Sequence, residues 1–146
     1  MLQRLHLAAG IVAPLCIAVF LLATLGVELA GSPQDMAWVK AAIVAPGLWV
    51  LIPALAVAGG SGMALARRRP GRLVQAKRGR MPFIAANGLL VLLPCALVLH
   101  HWAAAGRFDA VFYAVQAVEL LAGSANLVLM GLNVRDGLRL AGRLRG

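Results

Sequence analysis

The sequence predicts an all-α integral membrane fold, a single bundle of four antiparallel transmembrane helices with both termini on the cytoplasmic side. Three observations carry that expectation. Of 146 residues, 62% are hydrophobic and only 13% are charged, with a mean hydropathy of +0.86, whereas a soluble domain needs roughly a quarter of its residues charged to cover its surface. The charges are segregated, leaving apolar runs of about 20 residues, enough to cross a hydrocarbon core of about 30 Å. The basic residues also fall unevenly between those runs, which sets an orientation.

The spans are expected at about 7–27, 38–66, 82–102 and 108–134 within one domain, 1–146. The first ends where Glu28 and Gly31-Ser32-Pro33 mark an exit from the bilayer. It is too long for a signal peptide, and Glu28-Leu29-Ala30 lacks the paired small residues of a cleavage site. Pro46 and Pro53 interrupt the second span and Pro94 the third, as membrane helices tolerate when neighbours satisfy the freed carbonyls. Gly59-Gly60-Ser61-Gly62 strips a full turn of side chains, which invites close approach of another helix, and Ala8-Ala9-Gly10 offers a second small-residue face. Such faces predict a homo-oligomer or a place in a larger membrane complex.

Twelve basic residues flank one side of the spans: Arg4, the loop set of Arg67, Arg68, Arg69, Arg72, Lys77, Arg78 and Arg80, and Arg135, Arg139, Arg143 and Arg145 in the tail. Only Lys40 and Arg107 flank the other, where Glu28, Asp35 and Asp109 collect and can pair with them at little energetic value. The termini, a basic loop 67–81 and a basic tail 135–146 are therefore expected inside. Trp38 and Trp102 fall at the outer ends, at headgroup level. The tail alternates leucine with arginine, as a short segment lying on the inner leaflet does.

A net charge of +9 would suggest nucleic acid in a soluble protein. Here the basic residues sit between apolar spans, so no nucleic-acid partner is expected. The bilayer's anionic headgroups are the expected counter-charge, with Arg67, Arg68, Arg69, Arg72, Arg78 and Arg80 as their contacts. Cys16 and Cys95 lie singly inside apolar runs and read as buried small hydrophobes. No internal repeat, phosphate loop, HExxH, nucleophile elbow or serine-histidine-acid set is present.

The fourth span is the informative one. Gln116, Glu119, Asn126 and Asn133 recur at steps of 3, 7 and 7, with Gly123 and Met130 in the same stripe. That period puts them on one helix face, which must look into the bundle because a carboxylate facing lipid costs several kcal/mol. Glu119 lies about eleven residues from the outer end, roughly 16 Å deep, as the one formal charge at that level. Desolvation there favours the neutral carboxyl unless a partner or water reaches it. Two readings follow, packing glue or a proton-carrying, ligand-binding group. Asn87, early in the third span, shares a depth with Asn126 or Asn133, and an amide pair across the interface is expected.

Histidines in membrane four-helix bundles can hold haem axially. His6 opens the first span on the inner side, whereas His100 and His101 end the third on the outer side. The two levels differ by nearly the membrane thickness, so no two of them can clamp one haem, and a second ligand would have to be another group or water. No metal site is expected.

Four segments resemble two small bacterial four-helix membrane families, the haem-associated membrane protoporphyrinogen oxidase family and the copper-resistance D type of domain. They are Gln3-Arg4-Leu5-His6, Ile43-Val44-Ala45-Pro46-Gly47, Ala76-Lys77-Arg78, and Phe112-Tyr113 followed by Gln116 and Glu119. The aromatic and glycine residues that follow the first-helix histidine in the oxidase family are missing here, as is a histidine directly before the lysine. The resemblance implies a bacterial inner membrane, admits haem b as a cofactor, and points to His6 and Lys77, with His101 as a further candidate ligand. Three function classes follow: a haem- or quinone-linked redox protein, a proton-coupled binder or transporter of a small ligand in a Glu119-centred cavity, and a non-catalytic accessory subunit. The residues do not decide whether the chain is an enzyme.

Overall fold

The computed structural model describes residues 1–66, 71–140 and 142. The described residues form four helices long and apolar enough to cross a membrane: a first helix Gln3–Ala30, a second Pro33–Ala66, a third Arg72–Ala104 and a fourth Ala110–Leu140. Each extends beyond the run of apolar residues that announces it. Most of the stretch expected as a loop, from Arg72 onward, is helical and belongs to the third helix. The tail to Leu140 continues the fourth helix rather than forming a separate surface segment. Arg67, Arg68, Arg69, Arg143 and Arg145 lie outside the described residues.

Local chemistry sets the ends. The Gly31 N–H bonds the Val27 carbonyl at 3.0 Å, and a Cβ on Gly31 would lie 2.7 Å from that oxygen, so only glycine lets the chain leave the helix so tightly. Ser32 then caps the second helix. Its hydroxyl accepts from the Asp35 N–H while the Asp35 carboxylate accepts from the Ser32 N–H, and Pro33 occupies the first helical position, where no N–H is needed. This capping box starts the second helix five residues before the predicted Trp38. At the last turn Gly106 adopts φ +69, and Asp109 caps the fourth helix by accepting from the Phe112 N–H at 2.9 Å.

The second helix is broken at Ala45, whose backbone is extended (φ −142, ψ 109) next to Pro46. A wide turn at Ile43–Gly47 joins its two halves, and a similar wide turn at Gly88–Leu92 precedes Pro94 in the third helix. The cause is shared, since proline brings no N–H and its ring crowds the preceding turn. Gly47 makes the bend fit, because a Cβ there would lie 2.6 Å from the Phe20 ring.

The core lies in three clusters. Ala13, Ile17, Leu51, Ile84 and Met130 pack together. Met36, Leu99, Ala103 and Phe112 form a second, and Val39, Ile43 and Ala96 a third beside Phe20. Leu22, Trp49, Leu90, Leu121 and Val128 face outward. A surface so apolar suits lipid and not water.

Candidate functional site

The stripe on the fourth helix faces inward as its period requires. Gln116, Gly123, Asn126 and Met130 are buried, and Glu119 and Asn133 are partly so. The helix also buries Asp136, three residues past the expected polar set.

At the centre stands an ion pair. The Lys40 ammonium donates to Glu119 Oε2 at 2.5 Å, with the lysine side chain 1% and the glutamate 12% exposed. This corrects two expectations. Lys40 is not an outer-rim residue sharing weak contacts with Glu28, Asp35 and Asp109, and Glu119 is not the lone charge at its depth. The reason is the earlier start of the second helix. Beginning at Pro33, it carries Lys40 seven residues, about 10 Å, past its start, and the long lysine stem reaches the carboxylate on the fourth helix. Asp35 is occupied by Ser32, and Asp109 by Arg107 at 2.6 Å, which also lies over the Trp102 ring at 4.5 Å. The exposed Arg107 holds the Asp109 carboxyl below its ordinary range, secondary to the bond from the Phe112 N–H.

The other inward polar groups of the fourth helix bond partners of their own. The Gln116 amide donates to Glu28, leaving its own buried Oε1 without a protein partner. Thr24 is buried on the first helix, and Cys95 on the third lies close enough to feel both Glu119 and Lys40. Cys16 and Cys95 are free thiols. Asn87 Nδ2 donates to Asn126 Oδ1 at 2.9 Å and to the Ala122 carbonyl at 2.8 Å, while Asn126 Nδ2 donates to the Ile84 carbonyl at 3.3 Å. The amide contact expected of Asn87 is thus made with Asn126. Asn133 instead accepts from Arg80 at 3.2 Å.

A second charged cluster closes the other end. Arg80 donates to Asp136 at 2.7 Å, and Asp136 is 1% exposed. Arg80, expected among the headgroup contacts, turns inward because its stretch is helical and faces the fourth helix. Arg72 and Arg78 are exposed. Lys77 lies beside Gly137 and is the charge that acts on His6. Ser61 gives its one hydroxyl proton to the Val57 carbonyl, so in the His6 Nδ1 contact at 3.0 Å the imidazole is the donor.

Haem b fits these residues poorly. His6 keeps a lone pair at Nε2, but its ring lies 3.1 Å from where a Cβ on Gly62 would sit, packed into the glycine turn. Lys77 and His100 are twenty-three residues apart on one helix, about 34 Å, so the two histidine levels do not meet. Among the described residues no group of three or more histidine, cysteine or acidic side chains is arranged to hold a metal ion.

Between the helices runs a cavity of about 670 Å³. Its walls are almost wholly apolar, among them Phe20, Leu51, Leu55, Leu89 and Leu92, and Thr24, Glu119, Asn126 and Arg78 are the polar groups that reach it. Ile52, Gly60, Met63 and Leu89 line it and are exposed, so it opens sideways between the second and third helices. No histidine lines it. The sequence signal for the stripe was sufficient to find Glu119 and Asn126; Lys40, Arg80 and Asp136 were missed because charges near a span end read as solvated.

In comparisons with known proteins, the chain matches no family model, no curated protein and no solved structure.

Proposed function

We propose that the protein is a multi-pass inner-membrane protein that binds a lipid-soluble small molecule in the lateral groove and couples its binding or passage to a proton on Glu119. In this reading the helices alternate in direction and both termini lie in the cytoplasm. The excess of basic residues at one level supports that orientation, as does the contact of His6, at the start of the first helix, with Ser61, near the end of the second. One observation carries the functional reading: Glu119 lines an apolar groove open to lipid, with its counter-charge Lys40 buried behind it. An ionisable group in such a place is retained at a cost in desolvation, which a ligand or proton role explains and packing alone does not.

A quinone-linked redox protein would use the same groove, the ring beside Glu119 and the tail among the leucines. The haem form of the redox reading has less support, because His6 lies outside the groove and has no partner histidine at its level. An accessory subunit would need neither groove nor ion pair.

The test is to purify the protein in mild detergent, record its absorbance spectrum and identify by mass spectrometry what organic solvent extracts from it. A Gly60→Leu variant is the comparison, since a Cβ at Gly60 meets no atom within 4 Å and a larger side chain there would enter the groove. Enrichment of a lipid-soluble molecule with the parent protein and its loss with the variant is the expected result. Identical extracts would remove the reading, and a Soret band would restore the haem one.

A further inference from the structure

Of the polar groups that reach the groove, two are committed or remote. Asn126 accepts from Asn87 at 2.9 Å and donates to the Ile84 carbonyl at 3.3 Å. Arg78 is seventeen residues, about 25 Å, from Cys95, the residue of the third helix that stands near Glu119. Thr24 and Glu119 remain, and two contacts set them at one level. Gln116 on the fourth helix donates to Glu28 on the first, and a Cβ on Gly123 would lie 3.2 Å from Leu21. Seven residues forward along the fourth helix thus match seven residues back along the first. Glu119 is therefore level with Leu25, one residue or about 1.5 Å from Thr24.

Both side chains keep bonding capacity. Glu119 gives Oε2 to Lys40, and no described residue donates to its Oε1. Thr24 is buried, yet its hydroxyl bonds no described residue either. The buried polar atoms sealed away without a partner are Gln116 Oε1 and His100 Nδ1. The Thr24 hydroxyl and Glu119 Oε1 are not among them, and both residues line the groove, so these oxygens open into it. The carboxylate oxygen only accepts, whereas the hydroxyl gives one proton and also accepts.

A ligand group that satisfies both must donate to the first and accept from the second. A second cation would meet the Lys40 ammonium, an anion would meet the Glu119 carboxylate, and a carbonyl or ether has no proton to give. A hydroxyl does both from one oxygen, and it brings no charge among apolar walls, where an uncompensated charge is costly.

Building on the proposed groove, we infer that its ligand is an apolar molecule bearing a neutral hydroxyl, which donates to Glu119 Oε1 and accepts from Thr24. An alcohol or a reduced ring is thereby favoured over the corresponding ether, aldehyde or quinone.

The experiment is a scintillation-proximity titration of the detergent-purified protein with tritiated hexadecanol and with tritiated hexadecyl methyl ether, which keeps the oxygen and lacks the proton. The alcohol should bind about tenfold more tightly, the scale of one hydrogen bond to a charged group. Lys40→Met combined with Glu119→Leu leaves no buried charge behind and should bring the alcohol to about the affinity of the ether, with ether binding reporting an intact groove. Thr24→Val should weaken both probes about fivefold, since either oxygen accepts from the threonine, and leave their ratio unchanged. An unaltered unfolding midpoint in dodecyl sulfate shows that this variant is folded. If the parent binds the ether as tightly as the alcohol, if the double variant keeps the tenfold preference, or if Thr24→Val changes neither affinity, the inference about the ligand's class fails while the groove reading stands. If neither probe binds the parent, or Gly60→Leu binds both as well as the parent, the groove reading fails with it.

Discussion

Replacing Lys40 by methionine keeps the stem and removes the charge, leaving Glu119 in an apolar wall with nothing to balance it. The carboxyl can escape by taking a proton, which sets a ceiling on the cost. Protonating an ordinary glutamic acid side chain, with a pKa of about 4.3, costs about 3.7 kcal/mol at pH 7. That lies within the range of about 3–5 kcal/mol for breaking a buried pair. The sign with pH follows from linkage. In Lys40→Met the folded state holds one proton more than the unfolded chain above pH 4.3, so stability falls by about 1.4 kcal/mol for each unit the pH rises. At pH 5 the same variant should therefore cost only about 1 kcal/mol. Lys40→Met combined with Glu119→Leu should recover most of the loss and show no such slope, as apolar replacement of a whole pair does. Reversible unfolding by dodecyl sulfate in mixed micelles, followed by tryptophan fluorescence between pH 5 and 7, measures all three proteins. A loss under about 1 kcal/mol that is flat with pH would show that Lys40 reaches the headgroup layer and that Glu119 stands alone.

Asn126→Leu should destabilise by about 1 kcal/mol in the same assay, within the range for polar contacts between membrane helices, because it strands the Asn87 amide that donates to it at 2.9 Å. Asp109→Ala should lower the midpoint at neutral pH. Since its carboxyl is held below the ordinary value, mainly by the Phe112 N–H and then by Arg107, the difference from the parent is full above the unfolded carboxyl's titration. It should vanish as pH falls through the folded one, which an acid titration of both proteins reads directly.

Much of this architecture was legible from residue order. Four apolar runs gave four helices, and the stripe of Gln116, Glu119, Asn126 and Asn133 turned inward because a 3.5-residue period leaves no other economical orientation in lipid. Asn87 met Asn126 for the same reason. Helix ends were less legible. The span boundaries follow hydropathy, but the helices follow hydrogen bonding, and the capping box at Ser32 and the basic start at Arg72 carry regular backbone well past the apolar residues. This misplaced Lys40 at a rim and made Arg80 look like a headgroup contact.

Composition and the spacing of apolar and polar residues determined the class of solvent, the number of helices and which face of the fourth carries polar groups, because each is a property of a single segment against lipid. The tertiary structure alone decided that Lys40 answers Glu119, that Arg80 answers Asp136, and that the breaks at Ala45 and Gly88–Leu92 accompany a lateral groove. Pairings between charges seventy-nine and fifty-six residues apart depend on how four helices are rotated and shifted against one another, and no periodicity within one helix records that.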